Sequence, residues 1–299
     1  MDFGVWLPNC RHLAIPDIIR GTAVRAEELG YASVWVSDHV VVPTANIVNF
    51  GETVFDPLVT LAAVAGATRR VRLGTTVLIV PYRNAVVTAK MLASLDALSG
   101  GRLTVGIGAG WVAAESAMLG VPFTERGAMT DEYLHAMQVL WTSRTPSFEG
   151  KYTQFRDLVF EPKPVQKPHP PIWVGGHSRA ALRRTVAFGA AWHPINRPPA
   201  ELRAGRMELL RLCQAAGRSS TPAITLRNDV RILRPGEAAP ASAHAGRVIA
   251  GEVSAVVDQL TELADCGVEE LVLEFLAADG ADLDGQLRAF AEHVRPRMR

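Results

Sequence analysis

The sequence predicts one α/β domain over residues 1–299, a (β/α)8 TIM barrel with an insertion of about residues 109–171 between strands four and five. Short apolar runs alternate with helical patterns almost from end to end, the mark of βα units around a parallel sheet. The runs number eight, which favours a closed barrel over an open sheet. The length of 299 residues suits one such barrel, although it also suits two ordinary domains.

The first strand is "FGVWL" and its helix runs from about Ile15 to Leu29, with Gly30 as the residue that ends it. "SVWVS" is the second strand. A long polar loop follows as far as Asp56, which with Pro57 makes an N-cap and first-turn pair. "VRLGTTVLIV" is the third strand and "AVVTAKMLASLDAL" its helix. Gly100 and Gly101 stop that helix and turn the chain into the fourth strand, "RLTVGIG".

The rhythm pauses from Ala109 to Pro171, where a short helix, a second helical pattern from about Glu125 to Trp141 and the Pro-rich "EPKPVQKPHPP" follow one another. A linker and a rigid insertion on a barrel rim both accommodate such a passage. The alternation resumes with "PIWVGG", a helix from Ser178 to Phe188, the short strand "AAWHP" and a helix from Pro199 to Ala216. Strand "AITLRNDVRIL", helix Val253 to Cys266, strand "VEELVLEFL" and a final helix complete the barrel.

Composition sets bounds on function. Hydrophobic residues make up 48% and charged residues 20%, a globular rather than disordered balance. A formal net charge of +1 argues against a nucleic-acid partner. The three cysteines, Cys10, Cys213 and Cys266, are far apart and read as buried thiols rather than a disulfide framework or zinc site. The N-terminal stretch does not read as a signal peptide, and no apolar run approaches the ~18 residues of a membrane helix. A cytoplasmic protein with a small-molecule substrate, and neither membrane nor metal, is the resulting expectation.

In a barrel of this kind chemistry belongs at the C-terminal ends of the strands. "VWVSDHVVVP" puts Asp38 and His39 at the end of strand two, where acid/base chemistry or a bond to a cofactor is open to them. A histidine with a purely structural role reads the same way in isolation. "GIGAGW" ends strand four with Ala109, Gly110 and Trp111 and lacks the dinucleotide fingerprint. "VGGHS" ends strand five: Gly175, Gly176 and His177 before a Ser-capped helix suit a phosphate, and equally suit a capped helix start with no ligand. Glu115 is placed to point into the same cleft, or to sit as an exposed carboxylate in the first turn of a helix.

Taken together, "GYASVWVSDHVVVP", "VRLGTTVLIVPYRNAVVTAKMLASLDALSGGRLTVGIGAGW" and "PIWVGGHSRAALRRTVAFG" resemble the bacterial luciferase-like monooxygenase superfamily. Within it they look most like the branch that uses the deazaflavin coenzyme F420. The resemblance covers nearly the whole chain and implies an F420-dependent oxidoreductase that passes hydride between the cofactor and a small organic substrate. The alternatives are an FMN-dependent monooxygenase using reduced flavin and O2, and a non-catalytic flavin-binding relative.

The resemblance also implies roles. Asp38 and His39 would lie against the deazaflavin ring, with Asp38 orienting His39 and His39 handling the proton. Thr76 and Val77 would form a bulge with a cis peptide behind the ring. Ala109, Gly110 and Trp111 would border the cofactor, and Gly175, Gly176 and His177 would hold its phosphate. A homodimer is expected from the same source. Two departures stand out: Trp111 occupies the place of a proton-donating glutamate in the sugar-phosphate dehydrogenases, and "GAAWHP", Gly189 to Pro194, replaces "G-D-G-W". The first points away from sugar phosphates toward a flatter, more apolar substrate.

Overall fold

The structure, a computed structural model, describes residues 1–239 and 248–298. Its strands are β1 (Asp2–Trp6), β2 (Ser33–Val36), β3 (Arg72–Thr75), β4 (Leu78–Ile79), β5 (Leu103–Gly108), β6 (Phe148–Glu149), β7 (Gln154–Phe155), β8 (Ile172–Gly175), β9 (Ala191–His193), β10 (Ala223–Ile232), β11 (Val248–Gly251) and β12 (Val268–Phe275). Parallel pairing runs β1, β2, β3, β5, β8, β9, β10, β12 and back to β1, which closes the barrel.

The helices are α1 (Pro16–Glu28), α2 (Ile47–Phe50), α3 (Pro57–Ala67), α4 (Ala85–Ser99), α5 (Ala113–Met118), α6 (Arg126–Thr142), α7 (Arg179–Phe188), α8 (Pro199–Ala215), α9 (Val253–Asp265) and α10 (Gly280–Ala289). Among the described residues no helix is long and apolar enough to cross a membrane.

Local chemistry sets the element ends. Asp56 caps α3 by accepting from the Leu58 and Val59 amides at 2.8 and 3.0 Å, and Pro57 needs no donor at the first helical position. Gly100 ends α4 in the left-handed region at φ 70°. Several elements differ from expectation, among them α2 inside the polar loop and the β6–β7 hairpin. The run "VRLGTTVLIV" is broken at Thr76–Val77 into β3 and β4, and β4 pairs only with β5. The short β11 was not foreseen; it joins the far end of β10 at Asp229–Ile232, beyond the Ala223–Ile224 stretch that pairs with β9. Between β5 and β8, α6 packs on α4 and α7 in the outer ring, while α5 and the β6–β7 hairpin are added to the repeat.

One apolar core lies between barrel and helices. A smaller one fills the lumen with Trp6, Trp35, Trp173, Ala191, Val272 and Cys10. Trp35 and Trp173 stack there at 4.5 Å. A Cβ on Gly74 would lie 2.1 Å from the Trp35 ring, so only glycine on β3 lets this layer close.

Candidate active site

The C-terminal mouth gathers residues from seven of the barrel strands. Just beyond β2, Asp38 is buried and its carboxylate is held by Arg83, whose Nη1 and Nη2 donate at 2.6 and 2.8 Å, and by the Ile79 amide at 2.8 Å. Burial pushes the Asp38 carboxyl above its ordinary value, and these donors oppose that rise. Arg83 also reaches Asp56 at 2.7 Å, which pins the start of α3 to the mouth. The expectation that Asp38 orients His39 is therefore corrected: its oxygens already serve Arg83 and β4.

Glu115 takes that place. Its Oε2 lies 2.7 Å from His39 Nδ1, and its Oε1 accepts from the Val40 and Val41 amides at 2.8 and 3.3 Å. Glu115 is fully buried, not an exposed first-turn residue. Burial would raise its carboxyl, but the His39 bond and the two amides outweigh it and hold the group below its usual range. An ionised acceptor at Nδ1 fixes the imidazole with that nitrogen protonated, so proton exchange falls to Nε2. The His39 ring packs on Phe50 at 3.8 Å, and Phe50 on Trp111 at 5.8 Å.

The break in the third barrel strand forms one wall. The Thr76–Val77 peptide is cis, at the position implied by the resemblance. Glycines on two neighbouring strands make room for it. A Cβ on Gly108 would lie 2.7 Å from Val77 Cγ2, one on Gly175 2.8 Å from Val77 Cγ1, and one on Gly106 1.9 Å from the Thr75 carbonyl oxygen. The space that these three glycines clear is filled by the bulge itself rather than opened toward a ligand. Ala109 and Gly110 are partly exposed where β5 gives way to Trp111, with Gly110 at φ 81°.

Beneath the bulge lies a polar layer that the sequence reading missed. Arg227 on β10 donates to Ser37 Oγ at 2.9 Å and to the Thr76 carbonyl at 3.2 Å, and is ion-paired with Glu274 on β12. Glu274 also binds Arg11. Asp229, in register with Glu274, is pushed up to about 6 by burial and by that neighbouring negative charge. The sequence carried a signal for this: in "AITLRNDVRIL" the polar Thr225, Arg227 and Asp229 recur with period two, as one face of a strand should. His193 bridges Thr76 Oγ1 at 3.0 Å and Thr225 Oγ1 at 2.8 Å. Burial, reinforced by the charge of Arg227, lowers its pKa to about 3, so His193 is neutral.

At the end of β8, Gly176 has φ 94° and its carbonyl accepts from Trp192 Nε1 at 2.7 Å. Ser178 caps α7 through the Ala181 amide at 3.2 Å. His177 and Arg179 stand exposed beside an open cleft of ≈ 420 Å³ that Arg197, Glu201 and Glu208 also line. Arg197 and Arg179 pair with Glu201 and Glu208 at 2.8 and 3.3 Å, while Arg197 Nε is buried with no hydrogen-bond partner among the described residues. An unsatisfied Nε–H beside a glycine turn and the N-terminus of a helix fits an anionic end of a cofactor. The residues present thus fit a phosphate-bearing flavin or deazaflavin.

Comparison with known proteins agrees with this architecture. Residues 1–245 match the family described as luciferase-like monooxygenase. An uncharacterized protein of Mycobacterium tuberculosis is 30% identical over 265 residues, 83% of each chain. An FMNH(2)-dependent dimethylsulfone monooxygenase of Pseudomonas putida is 37% identical over 137 residues, 45% of this chain and 37% of that one. An F420-dependent glucose-6-phosphate dehydrogenase of Amycolatopsis mediterranei is 38% identical over 158 residues, 52% of this chain and 46% of the other. Among solved structures, monooxygenase RslO1 of Streptomyces bottropensis superposes with a TM-score of 0.84 at 22% identity over 99% of both chains.

Proposed function

This chain belongs to the luciferase-like monooxygenase family, and on that premise we propose that it is an F420-dependent oxidoreductase acting on a small organic substrate. The observation that carries the reading is the His39–Glu115 pair at 2.7 Å, at the same mouth as the Thr76–Val77 bulge. Hydride transfer to a carbonyl or an activated double bond needs a proton delivered alongside it, and a buried imidazole held by an ionised carboxylate supplies one. The cofactor, when bound, supplies the hydride.

The chain's own residues do the rest. Arg179, Arg197 and the α7 N-terminus would hold the anionic end, and Thr76 and Val77 would lie behind the ring. Arg83, bound to Asp38, braces β4 behind them. Glu115 keeps His39 in one tautomer, with Nδ1–H donating to its carboxylate. The second reading, oxygen chemistry with reduced FMN, draws support from the identity to the dimethylsulfone monooxygenase.

Anaerobic incubation with reduced F420 and a panel of ketones and conjugated ketones tests the proposal. Oxidation of the deazaflavin without oxygen, lost in H39N, is the expected outcome. Turnover only with reduced FMN and oxygen contradicts it.

A further inference from the structure

We infer that Phe50 and Trp111 form a stacking subsite for the substrate, and that this substrate is an uncharged planar ketone conjugated with a carbon–carbon double bond. The inference rests on the reading of His39 as proton donor and deepens it.

Three rings form a row that leads outward from the donor: His39 to Phe50 at 3.8 Å and 36°, then Phe50 to Trp111 at 5.8 Å and 54°. Trp111 is 60% exposed, so the outer ring has face to offer a ligand. Val40 and Val41, next to His39 in sequence, are 44% and 39% exposed and continue the apolar surface.

The wall is built into the fold rather than carried on a free loop. The Arg11 amide donates to the Phe50 carbonyl at 3.0 Å, and Arg11 Nε donates to the Asn49 carbonyl at 2.9 Å. A Cβ on Gly51 would lie 2.6 Å from Arg11 Cα, which shows how closely the two segments pack.

Charge points the same way. Three arginines around His39 and the bulge are each matched by a carboxylate, Arg83 by Asp38 and Asp56, Arg227 and Arg11 by Glu274, and Arg126 donates to the Gly110 and Phe123 carbonyls. Glu115 is likewise engaged by His39. Recognition beside His39 therefore comes from flat apolar area, the geometry in which aromatic faces are most effective.

A conjugated ketone uses both the wall and the donor. A bound reduced deazaflavin would supply a hydride to the alkene carbon remote from the carbonyl, and the alkene π pair would move toward the carbonyl oxygen. The proton on His39 Nε2 then bonds to the carbon next to the carbonyl. The substrate gains one hydride and one proton, the deazaflavin is oxidised by two electrons, and His39 regains its proton from water.

The test is calorimetric titration of the full-length protein with 4-phenyl-3-buten-2-one and with 4-cyclohexylbutan-2-one, which share a skeleton but differ in planarity and conjugation. The conjugated ketone binds about tenfold tighter or more, and F50L and W111L each reduce that preference about three- to tenfold, the range expected of aromatic contacts. F50L leaves F420 binding unchanged. Equal binding of the two ketones, or a preference that survives both substitutions, overturns the subsite. Failure of F420 to bind the unmodified protein instead overturns the functional reading, while the ketone titrations still decide the subsite.

Discussion

Glu115 Oε2 and His39 Nδ1 lie 2.7 Å apart although 76 residues separate them, joining the end of the second barrel strand to the first turn after the fourth. The pair is buried, and the Val40 and Val41 amides hold the carboxylate from behind. Under the proposed function, in which His39 handles the proton, this placement has measurable consequences.

Removing the donor lowers turnover more than removing its orienting partner. H39N is expected to reduce kcat by about 10²–10⁴-fold, the usual contribution of general acid catalysis. E115Q keeps an acceptor at Nδ1 but loses its charge, so kcat falls less than in H39N. Steady-state rates of the two variants check this, and an equal or larger fall in E115Q contradicts it.

The glycines beside Val77 answer to its side chain. G175A puts a methyl group 2.8 Å from Val77 Cγ1 and 3.2 Å from the Ile107 carbonyl oxygen, and destabilises by about 1–3 kcal/mol. Adding V77A removes the first clash, so the double variant is more stable than the sum of the two single effects. Urea unfolding of the three variants measures this coupling, and strict additivity refutes it.

His193 couples the Thr76 side chain to acid sensitivity. Its folded pKa of about 3 lies below the ordinary 6.5, so the unfolded chain takes up a proton that the folded chain refuses. The stability it contributes is complete above pH 6.5 and falls toward pH 3, by up to about 1.4 kcal/mol per pH unit. H193N lacks this slope. Denaturation midpoints between pH 7 and 4 report the difference, and parallel curves for the two proteins contradict it.

Asp229 has the opposite sign. Its folded pKa of about 6 exceeds the ordinary 3.8, so the stability it contributes is present at low pH and lost as pH rises through about 6. D229N therefore stabilises the chain at pH 8, by about 1–3 kcal/mol, and has little effect near pH 3.5. Unfolding at the two pH values tests it, and an equal effect at both sinks the assignment.

The fold was legible because its signals are local. Asp56 with Pro57, and Gly100 after "AVVTAKMLASLDAL", mark helix ends within a few residues, and eight apolar runs specify the barrel by count. The site was legible only in part. His39 and Glu115 could each be named, but the bond between them depends on how strands two and four stand in the closed sheet. Arg83 binds Asp38 across 45 residues and Arg227 reaches Ser37 across 190, distances over which no pattern in the chain signals a partner. Phe50 lies in a four-residue helix inside a polar loop, too short for periodicity to reveal. β11 escaped notice because "VIAG" is four residues long, with one of them buried.

Cofactor identity tests the central claim most directly. The purified protein is titrated separately with coenzyme F420 and with FMN, following quenching of tryptophan fluorescence. The account predicts tight, saturable binding of the deazaflavin and at least about tenfold weaker binding of FMN, a gap of about 1.4 kcal/mol. Equal or tighter binding of FMN contradicts it and moves the chain to the oxygen-using side of its family.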